Sequence, residues 1–114
     1  NVNRCNTLTY LQLRNKSGAK LCSPTFGSNI DKVVFTISSN QTTSRKIHLI
    51  PSSTEVPTSS DAYTSTLWAS QYGEVATGTG TSEKTINFTS DATSFILVVE
   101  GGATYIDSIA VYLK

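Results

Sequence analysis

Residues 94–114 constrain the fold more than any other part of the chain. The run Ser94-Phe95-Ile96-Leu97-Val98-Val99-Glu100 is almost continuously apolar, and its side chains are mostly β-branched or aromatic. After Gly101-Gly102-Ala103-Thr104, residues 105–114 set Ile109, Val111 and Leu113 at period two. Two such runs around a Gly-Gly read as a β-hairpin, with one strand deeply buried and its partner closing the chain. The hairpin predicts a compact β-sandwich whose last strand lies inside a sheet.

The rest of the composition agrees. Of 114 residues, 33 are Ser or Thr, which suits strands and polar loops and leaves little of the Ala, Leu, Glu and Lys that fill helices. The length fits one domain, residues 1–114, with one core. Charged residues make up 15% against 38% hydrophobic, which is not the balance of a disordered chain. Net charge is +1 and Arg45-Lys46 is the only adjacent basic pair, so no basic stripe suggests a nucleic-acid partner. No apolar run reaches the roughly 20 residues of a membrane helix, so no membrane insertion is expected. Methionine is absent even at position 1, as expected of a chain that is part of a longer or processed polypeptide.

Six more segments complete the strand pattern. Residues 7–14 place Leu11 and Leu13 on one face and Tyr10 and Gln12 on the other. Residues 19–23 form a short strand, with Leu21 inward, that ends at Pro24 because proline cannot donate to a ladder. Residues 30–38 alternate most clearly, with Val33, Phe35 and Ile37 facing the core and Val34 ambiguous. Residues 45–50 offer Ile47 and Leu49, residues 71–77 a weak strand, and residues 84–89 Ile86 and Phe88. About eight strands with polar turns and no helix predict an all-β, two-sheet antiparallel sandwich of jelly-roll type. Residues 51–65 are the longest polar stretch, and loops of this length in compact domains are often functional.

No catalytic constellation is legible. His48, the only histidine, sits in mid-strand and reads as a half-exposed strand residue. Gly-x-Ser-x-Gly is not found, and no pair among the eight acidic residues stands out as a glycosidase dyad. Asp107 reads either as an outward-facing residue or as part of a calcium site. No cofactor is expected. Cys5 and Cys22 read either as a disulfide closing a short loop or as two thiols.

Aromatic residues are the better lead. Sugar rings stack on Trp and Tyr while polar side chains bond their hydroxyls. Tyr63, Trp68 and Tyr72, with Asp61 and Gln71 among them, lie in or beside the long loop, and Tyr105 is a further contributor. Tyr63 is expected to be the exposed ring, and Trp68 is either core or platform. Tyr112 points away from Val111 and Leu113, toward the outer face.

Two sets of residues carry a resemblance. One is Tyr10-Leu11-Gln12-Leu13, Gly18-Ala19-Lys20-Leu21, Ser23-Pro24 and the run from Asn29 to Phe35. The other is Ile86-Asn87-Phe88-Thr89, Phe95-Ile96-Leu97 and the run from Gly101 to Val111, with Ile106, Ile109 and Val111 matching a closing strand that reads roughly Ile-x-x-Ile-x-Val-x-Tyr, and Tyr112 one place before its tyrosine. The chain resembles small β-sandwich modules of secreted and surface proteins of Bacteroidetes-type bacteria, which are similar to jelly-roll carbohydrate-binding modules. That resemblance implies a non-catalytic extracellular or cell-surface module with a glycan or polysaccharide partner. The alternative is a structural or adhesive sandwich of spacer, surface or capsid type, without a small ligand.

Overall fold

The computed structural model describes residues 11–64, 68 and 71–114. Eight strands run in order: β1 Leu11–Leu13, β2 Leu21–Cys22, β3 Ile30–Ile37, β4 Lys46–Ile50, β5 Gly73–Ala76, β6 Ser82–Asn87, β7 Ile96–Glu100 and β8 Thr104–Leu113. They form two four-stranded antiparallel sheets, ordered β1-β8-β3-β6 and β2-β7-β4-β5. Successive strands alternate between sheets except β4 and β5, which pair within the second, and the first and last strands pair, as Leu11↔Ile106 and Leu13↔Thr104. This is the jelly-roll order, two interleaved Greek keys closed face to face.

The alternating residues of β3 set the interior. Val33, Phe35 and Ile37 are fully buried between the sheets, with Ile47, Leu49, Leu97 and Val99 among the residues clustered with them. Phe88 packs on Phe95 at 6.3 Å between ring centroids, joining the segments that flank β6 and β7. Gly73 is required where the sheets approach closely, because a Cβ there would lie 2.6 Å from Ile86 Cγ2.

The end of the chain departs from expectation: β7 and β8 do not pair as a hairpin but lie in opposite sheets, β7 between β2 and β4 and β8 between β1 and β3, so the Gly101-Gly102 connection crosses the sandwich. Ile109 and Val111 are half-buried, and Leu113 is 43% exposed. Its register partner is Ile30, which is fully buried, beyond an irregularity in the β3–β8 ladder. Tyr10 and the rest of residues 7–10 lie outside the described residues.

Candidate functional site

The two broad faces of the sandwich differ. In β4 and β7 the inward row of Ile47, Leu49, Leu97 and Val99 alternates with an outward row of Ile50, Ile96 and Val98 that is just as apolar. That second row needs cover, and Val56, Tyr63 and Trp68 supply it. Ser17 N–H donates to Ser59 O (3.0 Å), Gly18 N–H to Pro57 O (2.8 Å) and Tyr63 N–H to Asn15 O (2.8 Å), which lashes the loop to the β1–β2 connection. Tyr63 and Trp68 then pack edge-on, 5.5 Å apart and 81° inclined, over Ile50, Ile96 and Val98.

Tyr63 is therefore only 2% exposed and Trp68 3%, which corrects the expectation of an exposed ring at Tyr63 and settles Trp68 as core. The physical reason is the two-sided apolar character of β4 and β7, which draws in the largest rings of the loop. Burial raises the Tyr63 phenol above its ordinary value, and its hydroxyl lies within reach of the Ala19 and Pro57 carbonyls at 3.3 and 3.4 Å. Tyr72 is half-buried against Phe88, 5.1 Å away, and Asp61 stays exposed. The expected site residues are thus not gathered into one exposed platform. Cys22 is exposed in β2, while Cys5, and with it the disulfide, lies outside the described residues.

Gln71 belongs to a polar network beside the covered patch. His48 is fully buried, not half-exposed, because its strand neighbours and Trp68, 6.2 Å away ring to ring, close over it. Gln71 Nε2 donates to Glu74 Oε1 (2.9 Å), which turns the Gln71 carbonyl toward His48 Nδ1 at 3.1 Å. His48 Nε2 faces Glu100 Oε1 at 2.8 Å. Both ring nitrogens thus lie within hydrogen-bond distance of a side-chain oxygen. Lys46 Nζ lies 3.1 Å from Glu74 Oε2. The Gln71 amide, then Lys46, hold the Glu74 carboxyl below its ordinary value.

This network borders one pole of the sandwich, where three connections meet. Gln41, 2% exposed, joins them: its Oε1 accepts from Tyr105 N–H (2.8 Å), its carbonyl from Gly80 N–H (2.7 Å), and its Nε2 donates to Thr43 O (2.7 Å). Thr77 and Arg45 exchange two bonds, Thr77 N–H to Arg45 O (2.8 Å) and Arg45 N–H to Thr77 Oγ1 (2.9 Å). Beside them an open depression of about 320 Å³ is lined by Ser44, Arg45, Lys46, Ala76, Glu100 and Gly101.

The outer face of the first sheet, by contrast, is open. Register across β8, β3 and β6 gives three rows: Tyr112, Lys32 and Asn87; Ala110, Val34 and Thr85; Ser108, Thr36 and Glu83. Gln12 and Tyr105 pair at the far end. Tyr112 is 49% exposed, and Lys32 Nζ sits 4.9 Å from its ring centroid. A tyrosine ring among hydroxyl and amide side chains can stack on the apolar side of a pyranose and bond its hydroxyls. Among the described residues no group of His, Cys, Asp and Glu is placed to hold a metal ion. No family model and no curated protein matches the chain.

Proposed function

We propose that this protein is a non-catalytic carbohydrate-binding module of an extracellular or cell-surface protein, and that its ligand lies along the open face of the first sheet. One observation carries the reading: one broad face is sealed by the long loop, while the other leaves an aromatic ring half-exposed amid a ladder of hydroxyl and amide groups. Tyr112 stacks on a sugar ring, Tyr105 marks the other end of the track, and Ser108, Thr36, Thr85, Asn87 and Gln12 supply hydrogen bonds. The track from Tyr105 to Tyr112 spans roughly 20 Å at the usual rise of a strand, enough for several sugar units. The resemblance of the core and turn residues to jelly-roll carbohydrate-binding modules supports the same class.

The test is a glycan array followed by calorimetry on the strongest hit. Tyr112→Ala is expected to weaken binding about ten-fold, the loss of roughly 1.4 kcal/mol expected for one stacked ring, with an unchanged melting temperature. Equal affinity of the two proteins for every bound glycan removes the open face as the site. The burial of Tyr63 and Trp68 favours a second reading, a structural or adhesive module whose loop aromatics serve only stability. An array with no hit at all selects it.

A further inference from the structure

The depression at the pole holds a guanidinium that no carboxylate among the described residues pairs with. Arg45 lies flat on the β7–β8 turn: a Cβ on Gly102 would fall 2.6 Å from both Cζ and Nε of Arg45. Its backbone is fixed by two hydrogen bonds with Thr77. Its Nε is buried and without a hydrogen-bond partner, and among the described residues no carboxylate pairs with it. A buried donor left unmade costs about 1–3 kcal/mol.

Lys46 Nζ lies 3.1 Å from Glu74 Oε2, and Glu100 Oε1, in the same wall, lies 2.8 Å from His48 Nε2. Among the described residues no carboxylate lies within ion-pair distance of Arg45. Ser44 Oγ accepts from Gly78 N–H at 3.1 Å, which leaves its own proton to donate. An immobilised planar fork with a hydroxyl beside it suits an oxyanion, and the ordering of the side chain is complete before a ligand binds.

We propose that this depression is an oxyanion site and that its ligand is the carboxylate or sulfate of an acidic sugar. The choice of a sugar rests on the carbohydrate reading above; the oxyanion chemistry does not. Arg45 grips the anion and Ser44 donates to it. Lys46, half-exposed at the rim, adds attraction at longer range. The protein then discriminates charged from neutral chains at a place separate from the open face.

The experiment follows the Arg45 Nε–H and Gly101 amide resonances by NMR during titration with sodium sulfate, glucuronate and glucose. Sulfate and glucuronate are expected to move both signals, and glucose neither. In parallel, Arg45→Gln is expected to bind uronate or sulfated oligosaccharides at least ten-fold more weakly while keeping its affinity for neutral ones. Arg45→Lys, which keeps the charge and loses the fork, is expected to recover only part of the loss. Signals that stay still with both anions overturn the site, as does an Arg45→Gln variant that melts as wild type yet binds acidic chains equally well. If Arg45→Gln does not fold, the resonance titration of the wild-type protein decides alone. Movement with sulfate but no binding of any saccharide keeps the oxyanion site and discards the sugar.

Discussion

Trp68 and Tyr112 show how the same kind of side chain acquires opposite roles. Trp68 fills the outward apolar row of β4 and β7, and its indole Nε1 is buried without a hydrogen-bond partner among the described residues. Its packing has to outweigh that orphan donor. Trp68→Ala is therefore expected to lower stability by about 3–5 kcal/mol, read from urea midpoints. Tyr112→Ala, at an exposed site, is expected to change stability by no more than about 0.5 kcal/mol. Similar midpoints for the two variants would mean that the loop does not cover the sheet as described. Carbohydrate added to the protein should leave the Trp68 emission nearly unchanged, since the ring is already 3% exposed; the tyrosines are the useful reporters.

At the scale of elements, the polar network ties β4, β5 and β7 together across one end of the second sheet. Glu74 carries a consequence for pH. Its folded carboxyl titrates below the ordinary 4.5, because the Gln71 amide and then Lys46 favour the carboxylate. The folded state thus holds fewer protons than the unfolded chain between the two values. The stabilisation is complete above the ordinary value and is lost as pH falls through the depressed one. Glu74→Gln is expected to unfold at lower urea than wild type at pH 7, with a gap that narrows as pH drops through and below the carboxylate range. A gap of constant size across that range would count against the network.

The same elements show what could be read from residues alone. The inward rows of β3, β4 and β6 follow from alternation, and Val33, Phe35, Ile37, Ile47, Leu49, Ile86 and Phe88 lie where the pattern puts them. Pro24 lies just beyond the end of β2, as a missing donor requires. The covered face was legible in principle: Ile96, Leu97, Val98 and Val99 form a run without alternation, which marks burial on both sides. Nothing in that run says which segment provides the cover. Periodicity speaks of faces, and the docking of Val56, Tyr63 and Trp68 depends on contacts distant in sequence. Gln41 and Arg45 carried no signal, because a glutamine in a polar turn and a lysine-flanked arginine look the same whether exposed or buried.

For the whole molecule, the decisive fact is that β8 lies between β1 and β3. Its ten residues pair with strands from the other end of the chain, so no local segment can form the first sheet alone. Such non-local pairing predicts refolding on the scale of milliseconds to seconds, slow for a chain of this size. Removing residues 104–114 deletes a central strand and is expected to abolish cooperative unfolding, seen as loss of amide dispersion by NMR. A truncated chain that still melts in one sharp transition would mean that the second sheet and its loop fold without the first.

The antiparallel pairing of β8 also fixes a polarity along the long axis. Its start adjoins the Gly101-Gly102 turn and the Arg45 depression, while Lys114 bonds through its N–H to Asn29 O at 2.8 Å, ten residues farther along. Ten residues of strand separate the two by roughly 33 Å. A bead, fluorophore or fusion partner coupled at Lys114 would therefore project the guanidinium pole outward, clear of whatever carries it, and immobilisation through that end suits any surface-based measurement of anionic ligands.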